Sequence, residues 1–275
     1  MKKTAKGAVS MHEQPNILKR LLHSTLLLDY KDQRIDVEAV PLTCPGLPQE
    51  FHLARVAVVA DLHMPDQIVY IPRLLRCLQM QKPDAIFLPG DLTNSYTDFD
   101  ARGLWALARE LTKIAPCFAI PGNHELRLGR APRYRRILEQ CGVRYMCDSY
   151  ADWHKDGATL RLYGMGEAAP APLTVEGQPT IVLAHRPEYM ADYCRAGWQI
   201  VISGHAHGGH VRLGKGALFS PDQGFMPAYT HGVYKKDGTR MVVSRGLGNS
   251  SIPWRVNNPP HLPILILSAK PMQEE

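Results

Sequence analysis

The stretch RVAVVADLH at residues 55–63 decides the fold, because an unbroken apolar run leads directly into an aspartate and a histidine. A continuous apolar run of this length is typical of a strand that is covered on both faces. Ile71, Leu74, Leu75 and Leu78 follow at the i, i+3, i+4, i+7 spacing of a helix packed on one side. The sequence therefore predicts a buried strand, a loop with polar side chains and an amphipathic helix.

The same order of elements repeats further along the chain. Residues 85–88 and 117–120 form two more apolar runs, and residues 99–114 between them carry apolar side chains at helical spacing. Strands that alternate with helices in this way indicate βαβαβ units and a largely parallel sheet.

The second half of the chain has a different pattern. Asp156-Gly157 and Asp237-Gly238 each separate two strand-like runs, which predicts tight hairpin turns. Further elements are predicted as strands at residues 181–184, 199–202, 241–244 and 263–267 and as a helix at residues 188–195.

These elements together predict the α/β fold class, with two packed mixed β-sheets flanked by helices. One domain is expected over residues 55–270, because no low-complexity tract or linker divides them. Residues 1–54 are expected to be an N-terminal extension packed on that domain or leading into it, with a short helix over residues 17–28.

Composition restricts the class of protein. Of the 275 residues, 45% are hydrophobic and 21% are charged, which excludes a disordered or fibrous chain. The formal net charge of +6 favours anionic partners such as phosphate esters but indicates no specific nucleic-acid partner. The six cysteines include no Cys-x-x-Cys pair, and no apolar run is long enough for a membrane span or a signal peptide. A cytoplasmic protein is therefore expected, with peripheral membrane or lipid contact left open.

Polar segments follow five of the predicted strands, where α/β sheets place their ligand sites. They supply carboxylate, imidazole and amide oxygen, a donor set that suits Mn²⁺, Fe²⁺ and Zn²⁺. Seven candidate ligands are too many for one ion and suit two ions that share a bridging carboxylate. The candidates are Asp61, His63, Asp91, Asn123, His185, His205 and His207.

Local geometry supports this prediction in two ways. Asp61 and His63 lie two positions apart, so strand periodicity would direct both side chains to the same ion. Gly90 and Gly122 precede the next two candidate ligands, and glycine allows a close backbone approach or an unusual φ there.

The order of these motifs, D-x-H, G-D, G-N-H-E, H and G-H-x-H, resembles the calcineurin-like metallophosphoesterase superfamily over residues 55 to about 207. The segments 208–209, 244–248 and 258–260 are similar to a bacterial phosphodiesterase branch that includes membrane-associated members. The resemblance implies a four-layer αββα sandwich and a metal-dependent phosphoric ester hydrolase.

The resemblance also implies a role for each motif residue. Asp91 would bridge two divalent ions, Mn²⁺ first and Fe²⁺ or Zn²⁺ as alternatives, and a metal-bridging hydroxide would attack the phosphorus. His124 would act as the general acid. One ion would be held by Asp61, His63 and His207, and the other by Asn123, His185 and His205.

Several functions compete with phosphodiester hydrolysis. A protein Ser/Thr phosphatase is disfavoured, because the arginine expected near its Gly-Asp motif is missing from the segment 90–94. A metal-bound interaction scaffold is disfavoured because His124 and all seven candidate ligands are present. A phosphomonoesterase and a hydrolase of UDP-diacylglucosamine or a related lipid pyrophosphate remain alternatives.

Two features receive no firm role from the sequence. His210 stands where the resembling branch usually carries glutamine, and a partly exposed strand residue is expected, with an approach to the metal site as the alternative. An arginine run follows the third motif, and it is either a solvated helix face or a mouth that holds an anionic substrate. The run comprises Arg127, Arg130, Arg133, Arg135 and Arg136.

Overall fold

A computed structural model describes residues 34–166, 168–173, 180–213, 216–220, 223–249 and 255–270. The helix expected over residues 17–28 lies outside the described residues. In the described part of the chain, no helix has the combination of length and apolarity that crossing a bilayer requires.

The first sheet has six strands in the order β1-β16-β2-β3-β4-β5. All neighbours pair in parallel except β16 and β2, which are antiparallel. Its strands are β1 (Asp36–Thr43), β2 (Arg55–Val58), β3 (Ala85–Leu88), β4 (Cys117–Ala119), β5 (Arg144–Tyr145) and β16 (His261–Ser268).

The second sheet also has six strands, in the order β14-β15-β9-β8-β7-β6. The pairs β6–β7 and β14–β15 are antiparallel hairpins, and the central pairs are parallel. Its strands are β6 (Ser149–Lys155), β7 (Ala158–Gly164), β8 (Thr180–Leu183), β9 (Ile200–Ser203), β14 (Gly232–Lys236) and β15 (Thr239–Val243). Two short antiparallel pairs lie between β9 and β14 in the chain: β10 (Arg212–Leu213) with β11 (Gly216–Ala217), and β12 (Phe219–Ser220) with β13 (Gly224–Phe225).

Helices flank the two sheets. The α-helices of the described residues are α1 (Ile71–Gln81), α2 (Ala101–Ile114), α3 (Asn123–Leu126), α4 (Ala131–Gln140) and α5 (Met190–Arg195). Asp100 caps α2 by accepting a hydrogen bond from the Gly103 N–H at 2.9 Å, which satisfies one of the free donors of the first turn.

Three apolar layers hold the elements together. Helices α1, α2 and α4 pack on the outer face of the first sheet, where Leu74 and Leu111 are fully buried. Between the sheets, Trp153 contacts Phe51 edge-on with ring centroids 4.9 Å apart. On the outer face of the second sheet, Tyr193 of α5 stacks on Trp198. The predicted αββα arrangement with two packed mixed sheets is confirmed.

The predicted hairpin turns are also confirmed. Asp156 and Gly157 join β6 to β7, and both have positive φ angles, 49° and 87°. Asp237 and Gly238 join β14 to β15 with φ angles of 47° and 82°. Two consecutive positive φ angles define the turn whose twist matches that of the flanking strands.

The N-terminal part of the chain contributes to the first sheet. Strand β1 lies within residues 1–54, and it pairs with β16 over eight positions, from Asp36 opposite His261 to Thr43 opposite Ser268. The predicted domain boundary between residues 54 and 55 stays a prediction.

Candidate metal centre

The loops that carry the predicted ligands converge from both sheets. In the first sheet, Asp61, Asp91 and Asn123 follow the ends of β2, β3 and β4. The second sheet contributes His185 after β8 and His205 after β9. The Asp61 carboxylate accepts a hydrogen bond from the His205 N–H at 2.9 Å, so one contact ties the two sheets together at the site.

The backbone at the site is strained. Five of the predicted ligands have left-handed φ angles between 48° and 69°. Non-glycine residues in this region cost on the order of 1–3 kcal/mol each and persist where the surroundings fix them. Strand β2 ends at Val58, so the convergence of Asp61 and His63 comes from these loop conformations, and the expectation based on strand periodicity was wrong. The five residues are Asp61, His63, Asp91, His205 and His207.

Two glycines make this close approach possible, as predicted. Gly90 has a φ of 100°, and a Cβ atom there would lie 2.6 Å from the Gly122 backbone. A Cβ atom on Gly122 would lie 2.1 Å from Asp91 Oδ1. Any side chain at either position would therefore displace the loops that carry Asp91 and Asn123.

Three groups of buried ligand atoms result, each with its atoms within 4.8 Å of one another. Asp91 belongs to two of the groups, and Asn123 Oδ1 lies 3.1 Å from His185 Nε2 beside one of them. The structure thus brings together all seven predicted ligand side chains. The groups are Asp61 with His63 and His207, Asp91 with His185 and His205, and His63 with Asp91 and His124.

The surroundings of His185 fit a cation. Its Nδ1–H donates to the Pro89 carbonyl at 2.8 Å, which directs Nε2 into the site. Nε2 lies 3.1 Å from each of three atoms: Asn123 Oδ1, Asp91 Oδ2 and His205 Nδ1. Burial alone would lower the pKa of His185, but the Asp91 carboxylate raises it to about 9. The position attracts positive charge strongly, and a divalent ion competes there with a proton.

The first group fits a second cation for a similar reason. Burial, aided by the charge of Asp91, raises the pKa of Asp61 to about 6, and burial lowers the pKa of His63 to about 3. The Nε2 atoms of His63 and His207 lie 3.1 Å apart. Two buried, neutral imidazoles beside buried carboxylates are a donor set for Mn²⁺, Fe²⁺ or Zn²⁺.

The backbone of Ser95 orients the His124 ring. Its Nδ1 accepts a hydrogen bond from the Ser95 N–H at 2.9 Å. The ring proton therefore resides on Nε2, which lies 3.9 Å from Asp91 Oδ2. Burial lowers the pKa of His124. The Tyr96 ring contacts the imidazole edge-on at 5.2 Å.

Glu125 organises the site although the sequence assigned it no role. Its Oε2 accepts hydrogen bonds from the N–H groups of Asp91 and Gly122, at 2.9 and 2.8 Å. Its Oε1 accepts from the N–H and Oγ–H of Thr93, at 2.8 and 2.9 Å. Burial raises the pKa of Glu125 to about 7, and the charge of Asp91 acts in the same direction while the hydrogen bonds oppose it. One buried carboxylate thus fixes the two loops that present Asp91 and Asn123.

Replacing Glu125 with glutamine is expected to lower the free energy of unfolding by about 2–4 kcal/mol, because the amide group would face two backbone donors it cannot satisfy. Metal affinity is expected to fall by about 10–100-fold, as for other groups that orient ligands. Denaturant unfolding with chelator present and calorimetric metal titration measure the two effects. The control is Glu139→Gln, an exposed residue paired with Arg135, for which a change below about 1 kcal/mol is expected. Equal, small effects of both substitutions would contradict this role.

A second supporting group lies behind His207. Asn258 Nδ2 donates to the His207 carbonyl at 2.7 Å, and the buried Arg255 guanidinium donates to Gly248 O and lies 3.3 Å from His207 Nδ1. His210 stacks on His207 with ring centroids 5.3 Å apart. His210 is buried, so the expectation of a partly exposed strand residue was wrong. The left-handed backbone at residues 207–210 turns it inward.

The arginine run lies beside the loop that contacts His124. The Arg127 guanidinium stacks over the Tyr96 ring at 5.2 Å. Arg130 Nη1 donates to the Asn94 carbonyl at 2.8 Å, and Arg133 lies over the Phe99 ring. Three arginines of the run therefore contact the segment 94–99, and Arg127 projects its charge next to the general-acid candidate.

The fold brings together, between two β-sheets, buried aspartate, asparagine and histidine side chains that could hold divalent cations. The sequence matches the calcineurin-like phosphoesterase family over residues 54–209, more than half of the chain. The chain belongs to this family, and its enzyme class is that of the metallophosphoesterase hydrolases.

Similar proteins come from several bacteria. The uncharacterized metallophosphoesterase YkuE of Bacillus subtilis (strain 168) is 22% identical over 236 residues, 81% of this chain and 82% of that protein. Phosphodiesterase YaeI of Escherichia coli (strain K12) is 25% identical over 224 residues, 78% of this chain and 82% of that protein. Among solved structures, TT1561 of Thermus thermophilus aligns with a TM-score of 0.47 and 14% identity, covering 71% of this chain and 90% of that chain.

Proposed function

We propose that this protein is a phosphodiesterase that works with two divalent cations. The observation that carries the proposal is the position of Asp91 between two sets of buried ligand atoms. Asp91 groups with His185 and His205 on one side and with His63 on the other, and His63 also groups with Asp61 and His207. One ion would be held by Asp61, His63 and His207 and the other by Asn123, His185 and His205, with Asp91 contributing to both. When bound, the ions neutralise charge on the phosphoryl oxygens and lower the pKa of a water molecule so that it can act as the nucleophile.

The protein side chains supply the remaining chemistry. Asp91 Oδ1 accepts a hydrogen bond from the backbone N–H of His124 at 2.9 Å. This contact fixes the position of the acid candidate relative to the bridging carboxylate. In its imidazolium form, His124 would donate from Nδ1 to Ser95 Oγ, 3.1 Å away, and transfer the Nε2 proton to the leaving oxygen, which leaves a neutral imidazole. The Ser95 N–H keeps the imidazole in this orientation.

Two observations favour a diester over a monoester. The relative YaeI, 25% identical, is named a phosphodiesterase. The segment 90–94 lacks the arginine expected of a protein phosphatase at that position. Mn²⁺ is the proposed native metal, because mixed carboxylate, amide and imidazole donors suit it, with Fe²⁺ or Zn²⁺ as alternatives. We also propose that the protein is located in the cytoplasm.

Metal analysis combined with hydrolysis assays tests the proposal. The protein is expected to bind two ions per chain, to lose activity with a chelator and to recover it with Mn²⁺. With bis(4-nitrophenyl) phosphate, kcat/KM is expected to exceed that with 4-nitrophenyl phosphate. A larger kcat/KM for the monoester would identify a phosphomonoesterase. Two bound ions without hydrolysis of either compound would identify a metal-bound scaffold.

Neutralising Arg127 is expected to raise KM several-fold at low ionic strength with little change in kcat, because the exposed guanidinium attracts the anionic substrate but does not take part in bond cleavage. The effect is expected to disappear at high salt. Steady-state kinetics of Arg127→Gln across ionic strength measure it, with Arg136→Gln as the matched control in the same run. Wild-type kinetics of Arg127→Gln at every ionic strength would show that Arg127 does not attract the substrate.

A further inference from the structure

A cleft of about 560 Å³ opens directly beside the candidate metal centre. Asn123 and His185, two of the proposed ligands, form part of its wall. The cleft and the metal centre are therefore continuous, and a molecule bound at one has space to extend into the other.

Most of the cleft wall is apolar. The side chains that contribute this surface belong to Leu126, Met165, Ala168, Ala169, Pro170 and Tyr189. The two charged residues among the described residues of the wall have ion-pair partners: Arg186 Nη1 lies 2.9 Å from Glu188 Oε1, and Asp192 pairs with Arg195. An uncharged, apolar group therefore matches this surface better than a charged one.

The wall is held in shape by hydrogen bonds. The Asp148 carboxylate accepts from the N–H groups of Gly166 and Ala168, at 2.8 and 3.2 Å. The indole N–H of the buried Trp198 donates to the Ala171 carbonyl at 2.9 Å. A wall fixed in this way loses little freedom when a ligand binds, which favours affinity.

The position of the cleft separates it from the proton donor. His124 contacts Ser95 and Tyr96, and none of these three is among the described residues that line the cleft. The leaving group of a phosphodiester must reach His124 to receive its proton. The second substituent, which stays on the phosphorus, then has the cleft available beside Asn123 and His185.

We infer that the cleft binds the retained substituent of the substrate, and that this substituent is apolar. The inference rests on the proposed function, because only a diester carries a substituent that is not lost. It also explains why the enzyme would prefer diesters: a monoester leaves the apolar wall without a contact.

Binding of phosphonate monoesters to the metal-loaded protein tests this inference separately from catalysis. The monomethyl esters of methyl-, octyl- and phenylphosphonic acid carry the same charge, and each carries its variable group on a P–C bond, which is not hydrolysed. The octyl or the phenyl compound is expected to bind more than about tenfold tighter than the methyl compound, since burial of about two methylene groups already has that effect. Calorimetry should also show a more negative ΔCp for the tighter ligand. Tighter binding of octyl indicates an aliphatic substituent and tighter binding of phenyl an aromatic one, and either supports the inference.

Ala169→Asp locates the binding surface. It places a charge in the wall at an exposed position, and the affinity ratio of octyl to methyl is expected to fall to about one. Ala168→Asp, at a second exposed wall position, is expected to act in the same way. Ala39→Asp is the matched control on strand β1, outside the cleft wall, and should keep the wild-type ratio.

Two results would overturn the inference: equal affinities for the three phosphonates, or an octyl preference that both wall variants retain. Failure of the proposed function has a different signature, because it shows in the number of bound metal ions and in the hydrolysis of bis(4-nitrophenyl) phosphate relative to 4-nitrophenyl phosphate, whatever the phosphonates do.

Discussion

Asp91→Asn is expected to weaken the binding of both metal ions together, each by more than about 100-fold. Oδ1 of Asp91 accepts a hydrogen bond from the backbone N–H of His124. Oδ2 lies 3.1 Å from His185 Nε2 and 3.9 Å from His63 Nε2. In asparagine, the amide nitrogen would replace Oδ2, the oxygen that faces His185 and His63, and an amide nitrogen cannot act as a metal ligand. Groups that only orient a ligand already change metal affinity by about 10–100-fold, so loss of a shared ligand should exceed that range.

Metal content and calorimetric titration measure this effect, and circular dichroism shows whether the variant folds. Asp152→Asn serves as the control, because Asp152 is a surface carboxylate paired with Arg161 at 2.9 Å. It should keep wild-type metal affinity. A single tightly bound ion whose affinity is the same in wild type and Asp91→Asn would contradict the two-metal proposal.

The fold could be predicted well because its signals are local. The run RVAVVA at residues 55–60 and the helical spacing after it can be recognised without knowing any distant partner. The pairing of β1 with β16 could not be predicted, because these strands are separated by more than 200 residues and their contact depends on the whole first sheet. The helix expected at residues 188–195 begins at Met190, because Pro187 opens a short 3₁₀ turn before it.

The ligand side chains could be predicted because metal chemistry selects their residue types. Their supporting residues could not be found in the same way. Nothing in the sequence around Glu125 marks it as a supporting residue. Its role depends on the fold, in which the loops after β3 and β4 direct their N–H groups at its carboxylate. Arg255 has no motif around it, and only the fold places its buried guanidinium behind His207.

The second large effect is expected for His124→Ala, which should lower kcat by about 10²–10⁴-fold for an alkyl leaving group, the usual contribution of a general acid. The loss should be much smaller for a nitrophenyl leaving group, which departs as a stable anion and needs little protonation. Ser95 orients the ring from the Nδ1 side, and Nε2 faces the site. The variant should retain both metal ions, because Asp61, His63, Asp91 and the histidines of the second sheet remain.

Kinetics with phosphodiesters whose leaving groups differ widely in pKa measure this effect, alongside metal analysis of the same preparation. His154→Ala is the matched control, since His154 is an exposed histidine whose Nδ1 contacts Thr159 Oγ1 on the neighbouring strand, and it should keep wild-type rates. A loss in His124→Ala that is equal for all leaving groups would assign His124 to holding the phosphate rather than to proton transfer. In that case the slope of rate against leaving-group pKa would match the wild-type slope, whereas removal of a general acid must make it steeper.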